Sequence, residues 1–130
     1  MKDPSLWVYE KAFLSEKPYD IHEHERLRAT QGFSTYDWWG FDGYLSFVII
    51  GGLKKFLADG NGFPGSLESV DEWNVILKKM IVGFEAAEAI KNYDYLDPSF
   101  EAYDTFAKEM TVVRDEGMAL FVKWYGDLWD

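Results

Sequence analysis

The chain has 130 residues, the size of one domain, which can bury roughly two thirds of its unfolded surface in a single core. Hydrophobic residues make up 48% and aromatic residues 18% of it, which excludes an intrinsically disordered chain. The absence of cysteine excludes disulfides, thiolate metal sites and cysteine nucleophiles. Thirteen Lys and Arg against 23 Asp and Glu give a net charge of -10, which argues against nonspecific binding to nucleic acid or to anionic membranes.

The N-terminal residues and the longest apolar stretch predict a cytoplasmic protein. Charged residues interrupt residues 1–14, so this segment does not have the apolar region of a signal peptide. The longest apolar stretch, residues 41–53, contains Asp42 and ends at Lys54. It is shorter than the roughly 20 residues that a membrane-spanning helix requires. We therefore expect it to form part of the core.

Periodicity and capping signals predict an all-α fold: a single-domain bundle of four or five helices with a long C-terminal helix. A first helix is predicted over residues 4–15, ending before Lys17-Pro18 because the residue before proline avoids the helical region. A second is predicted over residues 19–31, with Gly32 as its stop. We expect residues 1–33 to form an N-terminal arm, whose docking is left open, and residues 34–130 to form the helical core.

The third predicted helix begins at Ser34, a favourable N-cap, with Asp37 near the positive end of the helix dipole. Apolar residues then recur at steps of three and four and predict a core-facing stripe: Trp38, Phe41, Leu45, Val48, Gly52 and Phe56. Glycines at positions 40, 43, 51 and 52 each cost about 0.5 to 1 kcal/mol in a helix. The expected reason is close approach of a neighbouring helix; a kink at 51–52 and backbone access for a ligand are the alternatives.

A turn-rich connector at residues 59–65 precedes the fourth helix, which Ser69 and Glu72 open with a predicted capping box. That helix runs to Lys91 and carries an apolar stripe: Trp73, Ile76, Leu77, Met80, Phe84, Ala87 and Ile90. After a second connector at residues 94–98, the last helix begins at Asp97 or Ser99 and spans roughly 30 residues.

The last helix carries a near-heptad seam: Tyr103, Phe106, Met110, Val113, Gly117, Leu120, Trp124 and Leu128. Such a seam suits either a long bundle helix or pairing with another chain, and it is the reason why we predict a homodimer. The residues predicted to be buried are Trp73, Met80, Phe84, Phe106, Val113 and Leu120.

Several of these segments together resemble a family of small uncharacterised proteins encoded in the genomes of tailed bacteriophages. The resemblance covers residues 34–130. It rests on 37–39 (DWW) with Phe41-Asp42, on 62–67 (GFPGSL) leading to 71–73 (DEW), on 76–81 (ILKKMI) before Phe84-Glu85, and on Glu116-Gly117, Leu120-Phe121, 123–125 (KWY) and 128–130 (LWD). It implies viral origin and a shared fold, but no catalytic residues. The glycines of the third helix and the connector at 94–97 do not match the family.

Four acidic residues form the strongest enzymatic pattern. Glu85 and Glu88 are three residues apart, as are Glu101 and Asp104. Carboxylates at this spacing share a helix face, so two antiparallel helices could bring four oxygen ligands around Mg²⁺. The pattern resembles that of the all-α nucleoside triphosphate pyrophosphohydrolases, in which a bound metal positions a water for attack. A solvated acidic face is the favoured interpretation, because acidic pairs arise readily in so acidic a chain.

Two further nucleophile or metal patterns are weak. His22 and His24 are two residues apart, whereas a helical zinc site needs histidines four apart, so a solvated segment is expected there. No serine lies in a Gly-x-Ser-x-Gly elbow, so a serine triad is not predicted.

Aromatic and basic residues form the predicted binding set: Trp38, Trp39, Asp42, Lys54, Lys55, Lys78 and Lys79. Adjacent tryptophans cannot both point into one narrow core stripe, so at least one is expected at a groove or interface. Aromatic rings near the lysines could stack a base, although a rim of lysines around the bundle is favoured. We expect a non-enzymatic phage accessory protein without a cofactor that binds a host protein or a small ligand, with the Mg²⁺-dependent pyrophosphohydrolase as the alternative.

Overall fold

The computed structural model describes residue 3 and residues 20–93 and 100–130. The helix predicted over residues 4–15 and the connector at 94–98 lie outside these described residues. Within them the chain is helical and contains no strand. The helices are α1 (Ile21–Gln31), α2 (Thr35–Trp39), α3 (Phe41–Asp59), α4 (Val70–Lys91) and α5 (Phe100–Lys123), followed by a 3₁₀ turn at Tyr125–Asp127. The predicted all-α bundle with a long C-terminal helix is confirmed.

Capping side chains set the helix starts. The Asp20 carboxylate accepts hydrogen bonds from the backbone amides of His22 and Glu23, both at 3.1 Å, and so caps the start of α1. At the other end Gly32 has φ 90°, the left-handed conformation of a helix stop, as predicted. Residue Gly40 divides the predicted third helix in two, since its ψ of 52° is not helical.

Helix α4 starts where predicted, but with a different capping pattern. The Ser69 hydroxyl accepts the Glu72 amide at 3.3 Å. The Glu72 carboxylate accepts the amide of Glu68 at 2.8 Å, where the predicted capping box requires the amide of Ser69.

Contacts divide the chain into two compact units, residues 1–48 and residues 49–130. In the first unit, side-chain bonds from α1 to Ser34 and Asp37 cross the boundary that the sequence placed between residues 33 and 34. The part of the predicted arm that forms α1 is therefore bonded to the first residues of the predicted core.

The second unit contains a hydrophobic core formed by the C-terminal part of α3 with α4 and α5. Ile50 and Leu53 from α3 are buried with Trp73, Leu77 and Met80 from α4. Helices α4 and α5 are antiparallel, because aromatic contacts pair rising numbers on one with falling numbers on the other: Tyr93 with Tyr103 at 5.2 Å, Phe84 with Phe121 at 5.2 Å and Trp73 with Trp124 at 5.8 Å.

The predicted burial is confirmed on α4 and partly on α5. Trp73, Met80 and Phe84 are buried. The predicted seam of α5 is buried at Gly117 and half-buried at Phe106, Val113 and Leu120. Its aromatic residues Tyr103 and Trp124 contact Tyr93, just beyond the end of α4, and Trp73 on α4 of the same chain. The homodimer stays a prediction.

The stripe predicted for the third helix was wrong except at Phe56, which is half-buried and packs against the core. Trp38, Phe41, Leu45 and Val48 are between 41% and 62% exposed, whereas Ile50 and Leu53 are buried. Residues 41–53 contain one charged residue, Asp42, so apolar side chains surround the helix. A polar face that would mark the solvent side is missing, and periodicity alone selected the wrong face.

A close helix approach occurs at Gly83 and Gly117, which the sequence did not predict, and not at the predicted Gly40, Gly51 or Gly52; the fourth predicted glycine, Gly43, is buried. A Cβ placed on Gly51 or Gly52 would meet nothing within 4 Å. A Cβ placed on Gly83 would lie 2.6 Å from the Gly117 Cα. Helices α4 and α5 therefore cross at Gly83 and Gly117, where only hydrogen atoms fit between the backbones. In the described part of the chain, none of the helices is long and apolar enough to cross a membrane.

Candidate functional site

The first unit is organised around the guanidinium of Arg28 on α1. Its Nε and one terminal nitrogen donate to the two oxygens of Asp37 at 2.9 and 2.7 Å. Its terminal nitrogens also donate to the two oxygens of Asp3 at 2.9 Å. The guanidinium carbon lies 4.8 Å from the ring centre of Tyr44 on α3, whose hydroxyl donates to the Gly32 carbonyl at 2.6 Å. One cation thus connects α1, α2, α3 and Asp3 by paired hydrogen bonds and a cation–π contact.

A second set of hydrogen bonds extends this network to His24. The Ser34 amide donates to Asp37 Oδ2 at 2.8 Å, and the Asp37 amide donates to Ser34 Oγ at 3.2 Å, which completes a capping box at the start of α2. The same Ser34 Oγ lies 2.6 Å from His24 Nδ1. Ser34, Asp37 and His24 are each no more than 3% exposed. We call Arg28, Asp37, Ser34, His24 and Asp3 the Arg28 network.

The charges in this network follow from their surroundings. Burial opposes ionisation of Asp37, but the hydrogen bonds from Arg28 and Ser34 outweigh it, so the Asp37 pKa is lowered. The hydrogen bonds from the Asp37 and Asp3 carboxylates raise the Arg28 pKa. Burial, followed by the positive charge of Arg28, lowers the His24 pKa, against the opposing effect of nearby carboxylates. At neutral pH the network therefore holds a neutral imidazole beside a charged pair.

The Arg28 network contains Ser, His and Asp, but not in the arrangement of a catalytic triad. Asp37 bonds to Ser34 and Arg28, whereas a triad requires the carboxylate to orient the histidine. Ser34 is 0% exposed, so its hydroxyl cannot reach a substrate. The network is therefore a structural support.

Asp37 of the Arg28 network immediately precedes two exposed tryptophans. Asp37, 1% exposed, is followed by Trp38 and Trp39, which are 62% and 64% exposed. Trp39 also contacts Tyr36 edge-on, with ring centres 5.4 Å apart. The sequence predicted at least one tryptophan at an interface or groove. Both tryptophans are exposed, and their position at an interface stays a prediction.

Exposed apolar side chains continue into α3. Phe41, Leu45 and Val48 recur at steps of four and three, so they share one helix face, and each is 41% to 50% exposed. Residues 38–48 contain a single charged residue, Asp42, which is exposed. We refer to the exposed side chains of Trp38, Trp39, Phe41, Leu45 and Val48 as the aromatic surface.

The predicted lysines belong to the second unit and are all exposed. Lys54 and Lys55 lie on the last turns of α3, where Lys55 forms an ion pair with Asp59. Lys78 and Lys79 lie on α4 at the edge of a shallow depression, and Lys79 pairs with Glu116 at 3.1 Å.

The four carboxylates of the enzymatic hypothesis do not form a metal site. Glu85 and Glu101 are exposed and Glu88 is half-buried, while Asp104 pairs with Lys108 at 2.8 Å. Among the described residues no three acidic or histidine side chains are placed to hold a metal ion. The structure therefore does not bring these carboxylates together around Mg²⁺ as the pyrophosphohydrolase hypothesis requires.

The two histidines have different environments, and the expectation that both are solvated was wrong for His24. His22 is exposed, whereas His24 is 3% exposed. Side chains two apart on a helix point in different directions, so one of them faces α2.

The Ser34–Asp37 cap could be inferred from sequence, but its partners Arg28 and His24 could not, because α1 has charged residues on most of its surface.

Comparison of the chain with models of known protein families, with curated proteins and with solved structures finds no match.

Proposed function

We propose that this protein is a non-enzymatic accessory protein of a tailed bacteriophage, which binds a host protein in the cytoplasm of the infected cell through the aromatic surface. The observation that carries the proposal is the exposure of Trp38 and Trp39 directly after the buried Asp37. Tryptophan is enriched among the residues that dominate binding energy at protein interfaces.

The rigidity of the surface supports a binding role. Asp37 is held by two hydrogen bonds from Arg28 and one from the Ser34 amide. The backbone that carries Trp38 is therefore ordered before a partner arrives. A pre-ordered backbone loses less conformational entropy on binding, so more of the interaction energy appears as affinity.

The shape of the surface favours a protein over a small ligand. Trp38, Trp39, Phe41, Leu45 and Val48 project from helices at 41% to 64% exposure. Pockets for small molecules usually bury about 70 to 90% of their ligand. Side chains this exposed are better suited to insert into a partner than to enclose a ligand.

The charge of the chain indicates the kind of partner. Its net charge of -10 would accelerate encounter with a basic protein, and nucleic-acid-binding host proteins present such surfaces. Long-range attraction would bring the two proteins together, and the aromatic surface would supply the short-range contacts. Association should therefore slow as the salt concentration rises.

The test is affinity capture from lysate of phage-infected bacteria, followed by measurement of the dissociation constant for the captured protein. The variant Trp38→Ala/Trp39→Ala should lose the partner, with a dissociation constant raised about 30-fold or more, the effect of removing one dominant interface residue. Trp129→Ala is the matched control, because Trp129 is 76% exposed and belongs to the second unit. Circular dichroism checks that both variants are folded. If no partner is captured, or if both variants bind it equally, the proposal is refuted.

A further inference from the structure

The connector between α3 and α4 contains an asparagine followed by a glycine, Asn61-Gly62. Both residues are exposed, and a Cβ placed on Gly62 would meet nothing within 4 Å. In the ranges that the structure describes, no group accepts a hydrogen bond from the Gly62 amide. The preceding glycine differs, because the Gly60 amide donates to the Phe56 carbonyl at 3.0 Å. The backbone nitrogen of Gly62 is therefore accessible and has no competing hydrogen bond there.

An accessible nitrogen at this position can react with the side chain of Asn61, since asparagine is a chemically labile residue. The Gly62 nitrogen attacks Cγ of Asn61, and the new N–C bond closes a five-membered succinimide ring. The Cγ–Nδ2 bond breaks, and the proton from the Gly62 nitrogen leaves with Nδ2 as ammonia. Water then adds to either ring carbonyl and opens the ring to aspartate or isoaspartate. The two reacting groups belong to adjacent residues, so the reaction needs no enzyme, and glycine lacks the side chain that would hinder the attack.

We infer that Asn61 is a site of spontaneous deamidation. The chain has two other asparagines, Asn74 and Asn92, and the structure protects both. Asn74 lies inside α4, where the amide of the next residue is held in a helical hydrogen bond. The Asn92 side-chain amide donates to the Glu88 carbonyl at 3.0 Å, and the amide of Tyr93 is also hydrogen-bonded. The reaction is therefore selective for Asn61.

The modification acts on the contact between the connector and Asp130. The Asp130 carboxylate accepts a hydrogen bond from the Asn61 backbone amide at 2.8 Å, and its second oxygen lies 3.4 Å from Asn61 Nδ2. Deamidation replaces that nitrogen, a hydrogen-bond donor, by a carboxylate oxygen. Two carboxylates then face each other and repel. The modification therefore weakens the hydrogen bond that holds Asp130 to the connector.

Mass spectrometry of the aged protein tests the inference. The folded chain is kept at neutral pH, and samples are taken over several days. Cleavage after glutamate separates the three asparagines, because Glu68 lies between Asn61 and Asn74, and Glu88 lies between Asn74 and Asn92. The mass increase from replacing NH2 by OH should accumulate at Asn61 at least about 10-fold faster than at the other two, a ratio that corresponds to about 1.4 kcal/mol in the barrier. Equal rates at the three asparagines, or no mass increase at Asn61, would overturn the inference.

The urea-unfolded chain shows whether the fold leaves Asn61 open to reaction. Unfolding removes all protection by structure, so the rate at Asn61 in the folded chain should lie within about 10-fold of the rate in the unfolded chain. A folded rate below that range would show that the connector protects Asn61, and the inference would be wrong.

Gly62→Ala is the matched variant for the attacking residue. A Cβ at this position has room, and the φ angle of Gly62 is not positive, so the variant should fold as the wild type does. The added methyl group hinders the attack on Asn61, so deamidation should be at least about 10-fold slower. An unchanged rate would show that this nitrogen is not the attacking group. Circular dichroism checks that the variant is folded.

Hydrogen exchange tests the effect on Asp130. Asn61→Asp reproduces the charge of the product, whereas Asn61→Ala removes the side-chain amide without adding charge. The protection factor of the backbone amide at residue 61 should be about 3-fold lower in Asn61→Asp than in Asn61→Ala, the size expected for exposed charges. Equal protection would refute the weakened contact. The reaction needs no host protein, so these results are independent of the proposed function.

Discussion

Replacing Gly117 by alanine should destabilise the protein, although alanine is the better helix former. A Cβ at position 117 would lie 2.5 Å from the Gly83 Cα and 2.6 Å from the Lys79 carbonyl oxygen. Non-bonded heavy atoms pack at about 3.5 to 4.0 Å, so the helices would have to separate by roughly 1 Å. Both clashing atoms belong to the backbone of α4 and cannot rotate away.

The net effect is the difference between two opposing contributions. Overpacking a core costs about 1 to 3 kcal/mol, and a clash between backbones should fall at the upper end of that range. Alanine recovers up to about 1 kcal/mol of helix propensity. We therefore expect Gly117→Ala to lower the free energy of unfolding by about 2 kcal/mol. For a chain of this size the melting temperature should fall by roughly 8 °C.

The same substitution at Gly51 is the control and should have the opposite sign. Gly51 is also inside a helix, but a Cβ there meets nothing within 4 Å. Gly51→Ala should therefore raise the free energy of unfolding by about 0.5 to 1 kcal/mol. Urea and thermal unfolding followed by circular dichroism measure both changes. If Gly117→Ala were as stable as the wild type or more so, the close crossing of α4 and α5 would be wrong.

Three further predictions concern the Arg28 network and the core. Asp37→Ala should lower the free energy of unfolding of the first unit by about 3 kcal/mol. The substitution leaves the partly buried Arg28 with one carboxylate partner and removes the helix cap. Urea unfolding measures the change, and a loss below about 1 kcal/mol would contradict the Arg28 network. The lowered pKa of His24 means that its contribution to stability is present above the usual value of 6.5 and is lost as the pH falls. His24→Gln should therefore flatten the stability–pH curve below pH 6.5, and a curve parallel to that of the wild type would refute the assignment. Met80→Ala should cost about 2 to 5 kcal/mol, since Met80 is 0% exposed, and a near-neutral result would place it outside the core.

Capping residues and turn residues determined where most helices begin and end. Asp20 and Ser69 each cap a helix start, and Gly32 ends α1, because these signals act over three or four residues and need no distant partner. The core side of α4 was also predictable. Its polar residues alternate with Trp73, Met80 and Phe84 at the helical period, so the apolar face is marked by contrast.

Tertiary structure decided which face of α3 is buried. Apolar side chains surround that helix, so Leu45 and Leu53 look equivalent in sequence, yet Leu53 is buried and Leu45 is 42% exposed. Leu53 is buried because it packs with residues of α4, a contact that the sequence does not mark. A second comparison, between Gly51 and Gly117, gives the same result. Both glycines lie inside helices and have the same local preferences. Only the crossing of α4 and α5 leaves no room for a Cβ at Gly117.

The Arg28 network shows most clearly what the sequence by itself could not determine. Ser34 and Asp37 are three residues apart and could be recognised as a cap, whereas Arg28 lies nine residues before Asp37 and Asp3 lies 25 residues before Arg28. Many charged residues in this chain could have paired with Asp37. A charged pair has no periodicity, and its partners are selected only when folding brings them together in an environment that excludes water.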